Sequence, residues 1–491
     1  MSTPLERALR HHRRGELAEA EALYRRILDS SPEEPEALHL LGCIALAQGN
    51  RGEAVRLITR AVERAPGVAL YHENLAEAHY RSGELDLAER ECHAALRLSP
   101  DRPQTLNRLG VIAIERADYE AARGHLAQAL RLKAAYPEAL INLAVALNRI
   151  GEHALAAGHC ALALKLDARS PLAWNNLGMA YKGLGRIREA KEAFAQAGDF
   201  PLAKFNLGYL LLLEDDLASG LPLCEWRKKL FNPGRALAQP EWDGGACGGR
   251  LLVMHEQGLG DTILMSRFFA PLLERFAQVT VVVPAPLTRL IAAIDRRLDV
   301  RGEVGDAPYD LWCGVMSLPL LLGIRSAGAI PTSPWLPVPR APRRNGPPRI
   351  GINWAGNPSF HYDRIRSTSL ESLAPLLAVP GVEWVSLHKG HCEHEAERYG
   401  LPQPLREARD FYDTAVVLAG LEMVVSTETA VPNLSAALGT PTCVLVAVDH
   451  DWRWRSWYRD VAICSQEEPG VWAPAVNKAL SAVTGLIRAA A

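Results

Sequence analysis

The sequence predicts an α-helical solenoid followed by an α/β region of two lobes, and three observations lead to this fold class. Residues of similar size recur every 34 positions through the first half of the chain, as in stacked helix pairs. Beyond residue 250, short apolar strands alternate with helices, which is typical of parallel sheets buried on both faces. The run 423–448 reads as strand, turn, helix and strand, which is the unit of such a sheet.

Composition and charge exclude several classes of protein. Lys and Arg number 54 and Asp and Glu 56, so general electrostatics does not favour binding to nucleic acid. No apolar run is long enough to span a bilayer, and residues 1–14 are too charged for a secretory signal. The nine cysteines are scattered without a Cys-x-x-Cys pair, which fits reduced thiols. We therefore expect a cytoplasmic protein without a membrane span.

The repeat is defined by three columns of residues in one register, one with five members and two with six. The small residues that follow the leucines and those of the alanine column let the paired helices cross closely, and the larger residues of the last column fill the gap between neighbours. This is the tetratricopeptide pattern, and residues 205–208 begin a further, irregular unit. The columns are Leu41, Leu75, Leu109, Leu143 and Leu177, each followed by Gly or Ala; Ala20, Ala54, Ala88, Ala122, Ala156 and Ala190; and Tyr24, Ile58, Cys92, Leu126, Cys160 and Phe194.

The position before the column leucine is asparagine in several units, on the side of the first helix that lines the concave groove of such arrays. An amide side chain has one acceptor and two donors, which is enough to pair with the peptide bond of an extended ligand. The pattern resembles the asparagine ladder with which O-GlcNAc transferases hold acceptor polypeptide. The alternative is that asparagine is merely tolerated near a helix surface. The residues are Asn74, Asn142, Asn176 and, in the short unit, Asn206.

The α/β region divides at a linker rich in Pro and Arg at 337–348. We expect strands and helices in the order 250–255, 262–276, 279–283, 286–294 and 310–315 in the first lobe. In the second lobe we expect 349–354, 370–377, 383–387, 411–418 and the run 423–448, followed by a closing helix at 472–488. Two consecutive lobes of this kind suggest a cleft between them. The predicted domains are 1–235, 236–336 and 337–491.

The run 423–448 carries the first candidate site. Its turn at 426–429 faces the crevice beyond the strand ends, where hydroxyls and free helix N–H groups suit a phosphate or a sugar. The run resembles the C-terminal half of the glycosyltransferases related to ADP-heptose:lipopolysaccharide heptosyltransferases, which carry an Asp-Thr-x-x-x-His turn there. Glu428 and Asn433 stand in place of that Asp and His. The resemblance implies that Thr427, Glu428, Thr429 and Asn433 bind a nucleotide sugar.

A second candidate loop follows the first strand of the region, at 256–262. Gly258 and Gly260 permit a tight turn and close backbone approach, and Asp261 begins the next helix. Asp is a preferred helix cap, so a structural role is one interpretation. Heptosyltransferases carry Gly-Asp at this turn, and the resemblance implies that Asp261 is the general base that takes the proton of the acceptor hydroxyl. Gly258 and Gly260 would then lie against the nucleotide sugar.

Three cationic side chains lie in loops that follow strands of the second lobe. Arg364 and Arg366, in a loop that also holds Asn357, are suited to a diphosphate because guanidinium pairs with it in a fork and stays charged. Lys389 could reach phosphate or ribose. Close to it, at 388, 391, 392 and 394, His and Cys residues match no standard zinc spacing, so we expect no metal. The aromatics at 449–454 either stack on a ligand or pack against the closing helix.

Together these features make the α/β region resemble a GT-B glycosyltransferase with two Rossmann-like lobes, the second binding the nucleotide sugar. The resemblance, with its fused repeats, implies a metal-independent cytoplasmic enzyme that moves a sugar from a nucleotide-sugar co-substrate to a protein bound by the repeats. Flagellin is the best single candidate for that protein. Two alternatives remain open: a non-catalytic adaptor with inert lobes, and a transferase acting on a lipid or polysaccharide.

Overall fold

A computed structural model of the protein describes residues 3–231, 237–245, 248–332, 334–340, 346–360, 363–458 and 460–490. The chain divides into two compact units, residues 1–207 and 208–491, which are described separately. None of the helices in the described ranges is both long enough and apolar enough to cross a bilayer.

The first unit consists of antiparallel helix pairs. Proline stands at the first helical position of several first helices, where its missing N–H costs nothing. The helices are α1 (Pro4–Arg13), α2 (Leu17–Ser30), α3 (Pro35–Ala47), α4 (Arg51–Arg64), α5 (Ala69–Arg81), α6 (Leu85–Leu98), α7 (Pro103–Glu115), α8 (Tyr119–Leu132), α9 (Pro137–Arg149), α10 (His153–Leu166), α11 (Pro171–Gly183), α12 (Ile187–Gln196) and α13 (Pro201–Leu213), the last of which spans the division between the units.

The predicted columns lie in the core of this unit, and their volumes complement one another. A Cβ placed on Gly42, Gly110 or Gly178 would lie 2.5 Å from Ile58 Cγ1, 2.8 Å from Leu126 Cδ2 or 2.6 Å from Phe194 Cδ1. Where alanine replaces glycine, at positions 76 and 144, the residue of the facing column is the smaller cysteine, at positions 92 and 160, and each pair shares one core cluster. The helix crossing is therefore kept close by matched volumes rather than by glycine alone.

The described residues of the second unit form nine strands and mostly short helices. Its helices are α14 (Leu217–Cys224), α15 (Arg227–Phe231), α16 (Leu259–Met265), α17 (Phe269–Leu273), α18 (Thr288–Ala292), α19 (Leu318–Leu321), α20 (Asp363–Arg366), α21 (Ala374–Leu377), α22 (Glu393–Arg398), α23 (Phe411–Ala419), α24 (Ala430–Ala437), α25 (Arg453–Ser456) and α26 (Ala473–Ala490). Its strands are β1 (Arg250–Met254), β2 (Gln278–Val282), β3 (Leu298–Arg301), β4 (Leu311–Gly314), β5 (Arg349–Asn353), β6 (Glu383–Ser386), β7 (Met423–Thr427), β8 (Thr442–Val446) and β9 (Val461–Ser465). Single 3₁₀ turns occupy Ser266–Phe268, Ala285–Leu287, Val315–Ser317, Ala327–Ala329, Glu371–Leu373 and Pro404–Glu407.

The strands form two wholly parallel sheets, as the sequence predicts. The first has the order β3-β2-β1-β4 and the second the order β6-β5-β7-β8-β9. In each sheet the strand order reverses beside its first strand, between β1 and β4 and between β5 and β7. A crevice opens beyond the carboxyl ends of the strands at such a switch point. The two crevices are therefore the places where a ligand site is expected.

Some predicted elements differ in length from the observed ones, and some observed elements were not predicted. Strands β3 and β9 and helix α22 were not predicted, and the helix expected over 262–276 is α16, a 3₁₀ turn and α17. Strand β7 continues through Ser426 and Thr427, which were assigned to a turn. The difference has a physical reason: the Ser426 hydroxyl finds partners inside the sheet, so the strand can extend through polar residues.

The crevice of the first sheet is filled by a buried ion cluster. Arg227 Nη2 lies 3.0 Å from Glu256 Oε2 and 2.8 Å from Ser317 Oγ, and Glu256 Oε2 also accepts from the Met316 N–H. A Cβ on Gly314 would overlap the Glu256 carboxylate, so a larger residue there would have to displace that carboxylate. Since Arg227 of α15 already occupies this crevice, the second sheet is the better candidate for a ligand site.

Candidate functional site

The carboxyl edge of the second sheet is polar at its switch point. Asn353, the last residue of β5, donates from Nδ2 to Ser426 Oγ and to Thr429 Oγ1, each at 3.2 Å. Thr427 is fully buried, and its Oγ1 has no hydrogen-bond partner among the described residues. Thr429 is the N-cap of α24 and accepts from the Val431 N–H at 3.3 Å. The predicted residues Thr427 and Thr429 therefore lie at the crevice, although the first ends a strand.

Asp261 is the third residue of α16, and its side chain helps to cap the helix although it is not the N-cap residue. The N-cap is Gly258, whose N–H donates to Asp261 Oδ2 at 3.0 Å. The other carboxylate oxygen, Oδ1, accepts from Arg453 Nη2 at 2.6 Å. Both oxygens of the predicted base are thus engaged, one by the backbone and one by a guanidinium.

Arg453 is the centre of a charged cluster that the sequence did not predict. Its Nε lies 2.9 Å from both Asp451 oxygens, and its side chain is only 13% exposed. The Asp451 N–H donates to Glu428 Oε1 at 3.1 Å, and Trp454 Nε1 donates to the same oxygen at 2.8 Å. The predicted residues Asp261 and Glu428 are therefore joined through the segment that follows β8.

The pKa values of the two acids beside Arg453 are shifted in opposite directions. Burial, reinforced by the neighbouring Asp451 charge, raises the pKa of Glu428 to about 7. Burial also acts to raise the pKa of Asp451, but the attraction of Arg453 outweighs it and leaves that pKa below its ordinary value. Near neutral pH the cluster can therefore take up or release a proton at Glu428 while Asp451 stays ionised.

Asn433 and Gly260 join the two lobes at the start of α24. Asn433 Nδ2 donates to the Thr429 carbonyl at 3.0 Å, and its Oδ1 accepts from the Tyr458 hydroxyl at 2.6 Å. A Cβ on Gly260 would lie 3.1 Å from Asn433 Nδ2 and 3.3 Å from Ala430 Cα. Gly260 permits a close backbone approach, as predicted, and the segment that approaches it is α24. An imidazole in place of Asn433 would occupy this same contact.

Behind the cluster, Arg267 is buried among aromatic rings. Its guanidinium lies 4.0 Å from the Trp335 ring centroid and 4.9 Å from that of Tyr458, and Nη1 donates to the Trp457 carbonyl at 2.8 Å. Trp454 stacks on Tyr458, with centroids 4.7 Å apart. Trp452 and Trp454 belong to this core and not to the one around α26, so the predicted packing against the closing helix is wrong, and stacking on a ligand stays a prediction.

Three of the four remaining predicted ligand residues have partners of their own, and the fourth, Arg364, is exposed. Asn357 Oδ1 accepts from the Ser359 N–H, and the exposed Lys389 donates to the Ala408 carbonyl. Arg366 lies 3.2 Å from Asp363 Oδ1 and 4.5 Å from the Phe360 ring centroid, and Arg364 is exposed. Residues 361–362 of this loop are outside the described ranges. Within those ranges, none of these four side chains bonds to the Arg453 cluster.

In the first unit, the predicted asparagines mostly bond to the preceding repeat. The Nδ2 of Asn142 donates to Asn107 Oδ1 and that of Asn206 to Asn175 Oδ1, both at 3.0 Å. Asn74 Nδ2 lies 2.7 Å from His39 Nε2, and burial lowers the pKa of His39 to about 4, so the neutral ring accepts.

The fourth asparagine, Asn176, is buried, and its Nδ2 has no partner in the described part of the chain. Three of the four amides therefore link repeats, and their role in holding a peptide remains a prediction.

Sequence reasoning missed Arg453, Tyr458 and Arg267 as members of the site. Arg453 and Asp261 are 192 positions apart, and no spacing rule connects them. The one available signal was the cluster of charged and aromatic residues at 449–458, directly after the last strand of the run.

The fold defines a protein in which tetratricopeptide repeats precede an α/β region of parallel sheets. The repeat profiles of the tetratricopeptide family match residues 39–103 and 172–197, and the profile of the coatomer epsilon subunit matches residues 98–175. The chain therefore contains tetratricopeptide repeats.

Among individual proteins, the chain is similar to Protein FlbA of Caulobacter vibrioides, with 27% identity over 279 residues, 48% of this chain and 46% of FlbA. It is 32% identical over 93 residues to the TPR repeat-containing thioredoxin TTL4 of Arabidopsis thaliana, 19% of this chain and 14% of TTL4. The chain thus spans less than half the length of these relatives.

Solved structures similar to the chain include pilF of Pseudomonas aeruginosa and the Cut9-Hcn1 hetero-tetramer of APC/C. The first is 22% identical, covers 41% of this chain and 92% of its own, and has a TM-score of 0.36. The second is 19% identical, covers 46% of each chain, and has a TM-score of 0.41.

Proposed function

We propose that the α/β region is a glycosyltransferase that takes its sugar from a nucleotide donor. The observation that supports this most directly is the polar switch point of the second sheet, which adjoins Asp261 of the first lobe through Arg453 and Gly260. Hydroxyls, an amide and a carboxylate are thus gathered where a parallel sheet places its ligand. The resemblance to heptosyltransferases supplies the reaction type.

The donor would lie against the carboxyl edge of the second sheet. Thr427 Oγ1 and Thr429 Oγ1 can bond to hydroxyls of the donor. The loops after β5 and β6 leave the same edge and carry Arg364, Arg366 and Lys389. Turning one or more of these cations toward the diphosphate would neutralise the leaving group as the glycosidic bond breaks.

Asp261 is the candidate base for the acceptor hydroxyl. The proton of that hydroxyl passes to the carboxylate, the acceptor oxygen bonds to the anomeric carbon, and the nucleoside diphosphate leaves with the electrons of the broken bond. A carboxylate offers about four lone-pair sites, so bonds to Gly258 and Arg453 leave room for a further donor. Arg453 would then hold the base in one orientation.

The acceptor in this proposal is a polypeptide held by the repeats. Tetratricopeptide arrays present extended concave surfaces of the kind that proteins bind. Flagellin is the candidate that the resemblance suggests. The predicted contacts are the side-chain amides of Asn74, Asn142, Asn176 and Asn206. The amide nitrogens of Asn74, Asn142 and Asn206 already bond to neighbouring repeats, so these three would use their side-chain oxygens.

The first experiment is a thermal-shift screen of the full chain with nucleoside diphosphates and nucleotide sugars. A ligand at one hundred times its Kd stabilises by about 2.7 kcal/mol, which a shift in melting temperature reports. Stabilisation by one nucleoside diphosphate over the others is expected. If none stabilises the protein, the donor site is refuted and the adaptor becomes the better description.

The second experiment measures transfer of labelled sugar with Asp261→Ala, using Asp306→Ala as the matched control. Asp306 is fully exposed on the same lobe, so its loss should leave transfer unchanged. Transfer should fall roughly 100-fold or more in Asp261→Ala. Retained transfer would remove Asp261 from the mechanism, and transfer without any polypeptide would favour a lipid or polysaccharide acceptor.

A further inference from the structure

A group of three metal-ligating side chains lies at the carboxyl end of β6, outside the Arg453 cluster. The ligand atoms of His388, His391 and Cys392 all lie within 4.8 Å of one another. His388 is buried, Cys392 is partly buried and His391 is exposed. The spacing in the sequence matches no common zinc pattern, but the turn after the strand brings the three donors together.

The orientation of His388 suits a ligand. Trp354 packs beside its ring, with centroids 5.0 Å apart, and the ring hydrogen-bonds to the backbone of Ala355. Its Nε2 accepts a hydrogen bond from the backbone N–H of Cys392 at 3.2 Å, so this lone pair lies on the side of Cys392. A second hydrogen bond that fixes the tautomer and orientation of the ring is the usual partner of a metal-binding histidine.

Three carboxylates surround the group. Glu393 and Glu395 lie close enough to interact electrostatically with His388, and Glu395 and Asp363 do so with Cys392. Two of these acids also pair with arginines, Glu393 with Arg406 and Asp363 with Arg366. A divalent ion would have to displace the proton of the Cys392 thiol.

We propose that His388, His391 and Cys392 form a site for a borderline-soft divalent transition metal, with Zn²⁺ as the first choice. Two imidazoles and a thiolate are the donors that such ions prefer over Mg²⁺ or Ca²⁺. Rotation of the exposed His391 side chain brings its ring to the metal. Nε2 of His388 gives up its hydrogen bond with the Cys392 N–H and binds the metal instead. The fourth position is left to water or to Glu395. The proposal is independent of the transferase activity.

The test titrates the full, tag-free chain with Zn²⁺ against a chromogenic chelator and separately with Co²⁺. One tight equivalent of Zn²⁺ is expected, together with a near-ultraviolet cobalt–thiolate band. His391→Ala and Cys392→Ser should each raise the Kd at least roughly tenfold, and Cys392→Ser should abolish the band. His394→Ala is the matched control, because His394 is exposed in the same segment and lies outside the group.

Each outcome decides the proposal. A cobalt spectrum without the thiolate band, or a Kd unchanged in both variants, would overturn it. An effect of Cys392→Ser without an effect of His391→Ala would overturn the three-ligand site. Because His391 is exposed, its replacement should leave the fold intact. Far-ultraviolet circular dichroism of each variant verifies this.

Discussion

Arg453 Nη2 lies 2.6 Å from Asp261 Oδ1, and this ion pair ties helix α16 of the first lobe to the segment that follows β8 in the second. The same guanidinium also pairs with Asp451. The Arg453 guanidinium therefore neutralises one carboxylate from each lobe. The Arg453 side chain is almost excluded from water.

Replacing Arg453 with methionine should destabilise the second unit strongly. The substitution leaves Asp261 and Asp451 beside one another without a counter-ion, and loss of one partner of a buried pair costs about 3–5 kcal/mol. Asp261→Asn should cost less, since Asp451 keeps its pairing with Arg453. Urea unfolding measures both, and Arg455→Met on the exposed side of the same helix is the control. Equal stability of the Arg453→Met and Arg455→Met proteins would contradict the role given to the pair.

Glu428 should make stability depend on pH between its ordinary pKa of 4.5 and its folded pKa of about 7. The folded protein binds the proton more tightly than the unfolded chain does, so the contribution is complete below pH 4.5 and is lost as the pH rises through 7. Asp451 has the opposite sign, since its lowered pKa stabilises the fold above its ordinary value of 3.8 and that contribution is lost in stronger acid.

The measurement compares unfolding free energy across this window in the wild type and in Glu428→Gln. Glutamine keeps an acceptor for Trp454 Nε1 but cannot titrate. The difference between the two proteins should change by on the order of 2 kcal/mol between pH 4.5 and 7. Parallel curves would show that Glu428 does not bind the proton.

The volume matching in the repeats can be tested at Gly110. Gly110→Ala places a methyl group against the buried Leu126 and should destabilise the first unit by about 1–3 kcal/mol. Adding Leu126→Cys recreates the alanine–cysteine pair of two other repeats, so the double variant should be more stable than the sum of the two single effects. Gly124→Ala is the control in the paired helix α8, because its Cβ would meet open space and should stabilise slightly. Additive effects at 110 and 126 would contradict the matching.

Arg267→Lys should destabilise the aromatic core even though the charge is kept. An ammonium cannot donate in a fork to the carbonyls of Leu264, Pro331 and Trp457, and it loses the planar contact with Trp335. We expect a loss of about 2–4 kcal/mol in unfolding free energy. Arg275→Lys, at an exposed position in the same lobe, should change nothing. Intrinsic tryptophan fluorescence follows the transition, and matching midpoints in the two variants would contradict this role.

The sequence was most informative where a pattern recurs or persists. The alanine column and the column from Tyr24 to Phe194 are wholly buried, because the same steric demand acts in every repeat. The apolar runs of β1, β2 and β5 predicted strands within one residue at each end, because both faces of those strands are covered.

The candidate site was less predictable because it depends on pairing across the chain. Asp261 was singled out from its loop, but its partner Arg453 follows from how the lobes pack. Asn433 stands where the heptosyltransferase resemblance predicts a histidine, while its bond to Tyr458 gives it a packing role that a local motif cannot reveal. The donors of His388 and Cys392 were judged by linear spacing, whereas the turn after β6 determines their separation.

The Arg227–Glu256 pair has a consequence for anyone who wishes to study the α/β region in isolation. A fragment beginning at residue 236 would discard Arg227, the cation that pairs with the buried Glu256 carboxylate. Such a fragment should express poorly or bind dyes specific for exposed apolar surface. A cut made before Leu217 would retain Arg227, so helices α14 and α15 should be kept with the α/β region in any such fragment.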